Sequence, residues 1–75
     1  MTTYTIKEAG QRTGLSAHTI RHYTDMGLIP TLVRDEHNNR LFDEASIHWL
    51  YAIKFLRQSQ MSLKEVRSFF TENAY

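Results

Sequence analysis

The sequence predicts a small, mostly α-helical domain that contains one β-hairpin. Apolar residues recur at three-residue steps in four segments, a pattern typical of helices with one buried face. Capping residues precede these segments and glycine follows two of them, which indicates helix starts and ends. Between the second and third segments, two short apolar runs flank the polar residues 35–39, and this arrangement predicts a hairpin.

Length and composition narrow the class of protein. A chain of 75 residues forms one domain, expected over residues 1–75, and buries only roughly 60–65% of its unfolded surface. The absence of cysteine excludes disulfides, thiolate zinc sites and cysteine nucleophiles. No apolar run reaches the ~18–20 residues that span a bilayer, and no signal-peptide pattern opens the chain. We therefore expect a cytoplasmic protein with no membrane partner.

The first two predicted helices form a candidate helix-turn-helix over about residues 5–27. Thr5 and Glu8 have the spacing of a capping box, in which each side chain satisfies a backbone N–H at a helix start. The connection Gly14-Leu15-Ser16 supplies a left-handed helix end and then an N-cap, and Gly27 ends the second helix. On spacing alone, an ordinary helical hairpin in a small bundle remains the alternative.

The hairpin is predicted within about residues 31–42. Residues 32–34 and 40–42 are the expected strands, and asparagine in the turn between them tolerates positive φ. A basic residue near each strand end would give this wing a positive flank. The alternative is an exposed hairpin whose charges only keep the protein soluble.

A second helix pair is predicted over about residues 43–72. Asp43 is the N-cap of the third helix, and Ser62 with Glu65 forms a capping box before the fourth. The third helix carries an apolar stripe that is expected to face the core: Ile47, Leu50, Ile53 and Leu56. Aromatic residues largely outside the predicted stripes offer an alternative role as a protein-docking surface: Trp49, Tyr51, Phe55, Phe69 and Phe70.

In order along nearly the whole chain, these segments closely resemble the N-terminal DNA-binding domain of the MerR family of bacterial transcription regulators. The resemblance is carried by Tyr4-Thr5-Ile6-Lys7-Glu8-Ala9, Thr13-Gly14-Leu15-Ser16, Thr19-Ile20-Arg21-His22-Tyr23, Gly27-Leu28-Ile29-Pro30, Asn39-Arg40-Leu41-Phe42 and Met61-Ser62-Leu63-Lys64-Glu65-Val66. It implies a winged helix-turn-helix followed by a second helix pair.

The resemblance also implies function and partners. It implies a dimer, paired through a helix beyond residue 75, that binds and distorts near-palindromic double-stranded promoter DNA and affects RNA polymerase indirectly. No cofactor is expected in this chain. Because the sequence ends where that helix would begin, we expect either an excised DNA-binding domain or a short stand-alone relative, such as an excisionase-like architectural protein. An enzyme is not expected, since the chain has no glycine-rich phosphate loop and no His/carboxylate cluster.

The candidate DNA contacts lie on the second helix and the wing. The net charge of +1 does not by itself indicate a nucleic-acid binder, so the prediction depends on where the cations lie. Arg21 is the expected groove contact, and its alternative is an ion pair with Asp25 at i+4. The complete set of expected DNA-binding residues is Ser16, Ala17, His18, Thr19, Arg21, His22, Tyr23, Arg34, Asn39, Arg40 and Phe42.

Several of these positions carry open alternatives. The Tyr23 ring is expected to pack inward, with its hydroxyl either reaching a phosphate or belonging to the core. Arg34 has a pair with Asp35 or Glu36 as its alternative. Phe42 stands where the family commonly has tyrosine, so it lacks the hydroxyl that would bind a phosphate.

The two histidines of the second helix have different expected roles. His22 replaces an aromatic residue of the family and would make a pH-sensitive phosphate contact, whereas His18 is a candidate base reader. Their i, i+4 spacing does not favour a metal site, because no third ligand is identifiable.

Overall fold

The computed structural model describes residues 2–72, and the side chains of residues 2–70. Within that range the chain forms four helices and one two-stranded antiparallel sheet. The elements are α1 (Ile6–Thr13), α2 (Ala17–Asp25), β1 (Val33–Arg34), β2 (Arg40–Leu41), α3 (Glu44–Gln58) and α4 (Leu63–Glu72). This order confirms the predicted mostly helical class with a two-stranded wing and a second helix pair. None of the described helices is long and apolar enough to cross a membrane.

The helix boundaries follow from the predicted caps. Thr5 Oγ1 accepts a hydrogen bond from the Glu8 backbone N–H at 3.2 Å, while Glu8 Oε1 accepts from the Thr5 N–H at 2.9 Å. Ser16 and Asp43 cap α2 and α3 by accepting backbone N–H groups three residues later. Because each cap satisfies donors that the helix itself leaves unpaired, local sequence determines these helix starts.

The turn of the wing is organised by Asp35. Its Oδ1 accepts the backbone N–H groups of His37 and Asn39, both at 2.9 Å, and its Oδ2 accepts Asn39 Nδ2 at 3.1 Å. These bonds, above all the one from the Asn39 backbone, hold the pKa of the Asp35 carboxyl below its ordinary value. Asn38 adopts φ 65°, in agreement with the expected asparagine at positive φ.

The strands are shorter than predicted, with two residues each, because their outer residues pair elsewhere. Leu32 donates its N–H to the Ile29 carbonyl at 3.2 Å, in a turn. Phe42 instead exchanges two backbone hydrogen bonds with Tyr4, at 2.8 and 2.9 Å. The segment before α1 is thereby attached to the base of the wing.

The core lies between the four helices, where α1 packs against both α2 and α3, and α3 packs against α4. Ile47, Leu50 and Ile53 of the predicted stripe are fully buried, whereas Leu56 is partly buried. Gly10 lies where α1 approaches the turn before α2. A Cβ atom added there would stand 2.8 Å from the Leu15 carbonyl oxygen, so only glycine permits this packing of α1.

Two side chains of α3 bind the C-terminal end of α1. Lys54 Nζ donates to the Thr13 carbonyl at 2.6 Å, and the Tyr51 hydroxyl donates to the Arg12 carbonyl at 2.5 Å. Carbonyl groups at a helix C-terminus lack intrahelical partners, so these bonds satisfy them. The helix-turn-helix is therefore held against α3 by polar contacts as well as by the core.

Candidate nucleic-acid interface

The outer face of α2 is a continuous polar surface. Ile20 and Tyr23 are buried, while His18, Arg21 and His22 are exposed. This division follows from the helical period of 3.6 residues, which places positions three and four apart on one side. Asp25 ends the same exposed face.

The start of α2 is built by the N-cap. Ser16 Oγ accepts the Thr19 backbone N–H at 3.1 Å and donates to Thr19 Oγ1 at 2.8 Å. Ser16 is exposed, and Ala17 and Thr19 are half-buried. DNA contacts from these three residues stay predictions.

Arg21 is available for a ligand. Among residues 2–72 its guanidinium makes no ion pair or hydrogen bond, and the alternative pair with Asp25 does not form because Asp25 binds Arg40. The five N–H donors of Arg21 therefore face solvent or the neighbouring cleft.

Arg40 connects the wing to α2. Its Nη2 donates to Asp25 Oδ1 and its Nε donates to Thr24 Oγ1, both at 2.9 Å. A cleft of about 440 Å³ lies between the start of α1, α2 and the wing, and Arg21, Asn39 and Arg40 all line it. The structure thus brings together three of the predicted contacts from two separate elements.

The other wing residues have partners within the wing. Arg34 Nη1 donates to the Asn38 carbonyl at 3.1 Å, and the expected alternative pairs with Asp35 or Glu36 do not form. Asn39, which lines the cleft, also binds the Asp35 carboxylate through its side-chain amide. Both residues are exposed, and their contacts with DNA stay predictions.

Two of the aromatic candidates belong to the core. Phe42 is fully buried beneath the wing, so the prediction that it contacts DNA is wrong; without a hydroxyl it packs as an apolar residue. The Tyr23 ring is buried, with 6% exposed. No described group hydrogen-bonds the Tyr23 hydroxyl, yet every buried side-chain oxygen among the described residues has a partner. The Tyr23 hydroxyl is therefore not buried and reaches solvent.

Thr24 is the residue that the sequence did not indicate. Its Oγ1 donates to the Arg21 carbonyl at 2.8 Å and accepts Arg40 Nε. Arg40 follows 16 positions later, and no local pattern pairs residues at such a distance. Only the antiparallel wing places them in contact.

The aromatic residues considered above as a docking surface do not form one surface but make separate contacts. Trp49 and Phe70 meet edge to face, with ring centroids 4.9 Å apart, and Phe69 packs beside Phe70 at 6.0 Å. Tyr51 binds α1, as described above, whereas Phe55 is 68% exposed. Part of this set therefore supports the packing of α3 with α4.

Comparison with known proteins identifies the family. Residues 4–73 match the profile of the MerR HTH family regulatory proteins. The chain belongs to the MerR family. It is 40% identical over 67 residues to an uncharacterized HTH-type transcriptional regulator of Haemophilus influenzae, and 36% identical over 70 residues to the HTH-type transcriptional regulator AdhR of Bacillus subtilis. Each alignment covers 89% of this chain and 50% of the relative.

Solved structures of the MerR family share the fold. HiNmlR, a MerR family regulator that lacks the sensor domain and was crystallised with promoter DNA, matches with a TM-score of 0.83 at 40% identity, over 91% of this chain and 52% of that one. The lead(II) complex of PbrR691 from Ralstonia metallidurans CH34 matches with a TM-score of 0.81 at 34% identity, over 91% and 53%. The chain thus spans about half the length of these proteins, and the winged helix-turn-helix is confirmed.

Proposed function

We propose that this MerR-family domain binds double-stranded DNA sequence-specifically and thereby regulates transcription, without catalysis. The observation that carries the proposal is the surface formed jointly by α2 and the wing. There Arg21 has no partner within the described part of the chain, and Arg40 lines the same cleft. A helix-turn-helix inserts its second helix into the major groove, and α2 is that helix. The similarity to HiNmlR, which was crystallised with promoter DNA, supports this assignment.

The residues of this surface fit distinct roles at DNA. Arg21 projects from the exposed face of α2 and can bind guanine O6 and N7 through its fork. His18 and His22 supply further ring N–H donors beside it. Arg34 and Arg40 suit the phosphates or the minor groove next to the wing.

The complete regulator would act as a homodimer on a near-palindromic promoter site, paired through a helix beyond residue 75. It would bend and untwist the DNA, which costs several kcal/mol, and would affect RNA polymerase through that distortion. One copy of the domain makes few phosphate contacts, so a single chain should bind weakly and with strong salt dependence. The relatives named above are transcriptional regulators, which favours this function over an excisionase-like architectural role.

The test is selection from a random duplex library, at ~50 mM salt, with the chain joined by a flexible linker to a dimeric coiled coil. We expect one near-palindromic sequence to be enriched. Arg21→Ala should weaken binding to that sequence by about 1–3 kcal/mol and relax the preference for one base pair. Fluorescence anisotropy with the selected duplex measures both effects.

Lys64→Ala is the matched control, because it also removes one exposed cation but lies on α4. Its effect on affinity should be small and the same for every sequence. Failure to enrich any sequence, or equal losses in the two variants, would refute the proposed function.

A further inference from the structure

We propose that Thr24 and Asp25 are positioning residues, which hold the Arg40 guanidinium across the junction of α2 and the wing so that it clamps one DNA phosphate. This inference rests on the proposed function, and it names the residues that hold Arg40 in place for its phosphate contact. Arg40 has a side chain that is only 22% exposed, so it is already confined at the junction before DNA arrives.

The hydrogen bonds fix the direction of the guanidinium. The Thr24 hydroxyl donates its proton to the Arg21 carbonyl, so its oxygen is left to accept Arg40 Nε–H. Asp25 takes one N–H of Arg40 Nη2. A guanidinium carries five N–H donors, so three remain for another ligand, and their planar arrangement suits two oxygens of one phosphate.

Asp25 has no favourable local role that would explain its presence. It is the last residue of α2, where the helix dipole disfavours an anion. It also places a carboxylate on the face that is proposed to meet a polyanion. Its side chain is 61% exposed, and ion pairs at such sites contribute little to stability. Holding Arg40 in place is the role that its geometry supports.

A second arginine on the wing repels Arg40. Arg34 lies directly opposite Arg40 in the antiparallel register. Like charges in opposite positions of a strand pair repel each other. The Asp25 carboxylate counters this repulsion and keeps Arg40 against α2, while Arg34 turns to the Asn38 carbonyl.

The decisive experiment compares two variants that each remove one carboxylate, Asp25→Ala and Glu36→Ala. Glu36 lies at the exposed turn of the wing, where its Oε1 is 3.6 Å from His37 Nε2. The 75-residue chain is titrated into a fluorescent 30-base-pair duplex of arbitrary sequence, at several salt concentrations, because a phosphate contact does not depend on sequence.

If carboxylates act only by repelling DNA, both variants bind more tightly than the parent chain. If Asp25 positions Arg40, Asp25→Ala binds DNA roughly fivefold more weakly, although it has lost a negative charge. The slope of log K against log salt should also become shallower by about 0.9, because one phosphate contact is lost. Glu36→Ala should show no loss. Circular dichroism of the free variants confirms that both are folded.

Two further comparisons separate positioning from general structure. Thr24→Ser keeps the hydroxyl and should retain affinity, whereas Thr24→Val should lower it. Asp25→Ala should have no additional effect in an Arg40→Gln background, since the two residues act through one contact. Additive losses would contradict the inference.

The outcomes also distinguish this inference from the proposed function. If the parent chain binds the duplex and Asp25→Ala binds at least as tightly, the positioning role is refuted and DNA binding stands. If the parent chain binds no duplex even at the lowest salt concentration, the phosphate clamp is refuted, whereas the proposed function is decided separately by the selection with the dimerised chain.

Discussion

Three cationic side chains of this domain have different roles, which their own sequence context does not reveal. Arg21 has no partner among the described residues, Arg40 is bound by α2, and Lys54 satisfies a carbonyl at the end of α1. The partners of Arg40 and Lys54 lie 15 and 41 positions away. The sequence shows that these three side chains are cations, but the atom that each one binds is determined by the folded chain.

Gly10 allows a prediction about the stability effect of a single added methyl group. Gly10→Ala should lower the free energy of unfolding by about 1–3 kcal/mol, because the added Cβ would stand 2.8 Å from a backbone oxygen that cannot rotate away. Helix propensity alone predicts the opposite sign, a gain of about 1 kcal/mol. Urea unfolding followed by circular dichroism measures the difference.

Gln11→Ala is the control for Gly10→Ala, since Gln11 is an exposed neighbour in the same helix. Its effect should stay within about 0.5 kcal/mol. A Gly10→Ala protein more stable than the parent would show that α1 does not need this close approach to the Leu15 carbonyl.

At the scale of elements, the predictable features were those encoded by neighbouring residues. The capping boxes, the N-caps Ser16 and Asp43, and the glycine at the end of α1 appear as predicted, because each depends on contacts within four residues. The strand lengths could not be predicted from neighbouring residues, because Phe42 pairs with Tyr4, which lies 38 positions earlier in the sequence. The same long-range pairing buried Phe42 and removed it from the candidate interface.

The start of α3 gives a prediction about acid stability. Hydrogen bonds from Ser46, above all its backbone N–H, hold the pKa of Asp43 below its ordinary value, and the Tyr4 hydroxyl and then Arg12 do the same for Glu44. Carboxyl groups with lowered pKa values stabilise the fold above the unfolded values of ~4, and this stabilisation is lost as pH falls through the folded values. We expect constant stability from pH 7 to about 5 and a progressive loss below about 4.

Asp43→Asn isolates the contribution of the cap. Asparagine caps helices as well as aspartate does but does not titrate, so this variant should be nearly as stable as the parent at pH 7 and lose less stability in acid. Glu36→Gln, at the exposed turn of the wing, should lose as much stability in acid as the parent. Urea unfolding at a series of pH values checks both, and identical acid profiles for Asp43→Asn and the parent would contradict the assignment.

For the whole molecule, the net charge of +1 conceals how the charges are distributed. Residues 16–42, which hold α2 and the wing, contain three arginines and three carboxylates, so their formal charges cancel. The same segment contains three of the four histidines, His18, His22 and His37, all exposed. The charged groups on the same elements are Arg21 and Asp25 on α2, and Arg34, Asp35, Glu36 and Arg40 on the wing.

This cancellation predicts that DNA affinity depends on where a charge lies and not on the net charge of the domain. Arg34→Ala and Lys64→Ala each lower the net charge from +1 to 0, but Arg34 lies on the wing and Lys64 on α4. Both side chains are exposed, so neither replacement should disturb the core. Arg34→Ala should weaken binding to every duplex and make the slope of log K against log salt shallower by about 0.9, whereas Lys64→Ala should change both only slightly. Fluorescence anisotropy at several salt concentrations measures both quantities. Equal losses in the two variants would show that the net charge, and not its position, sets the affinity.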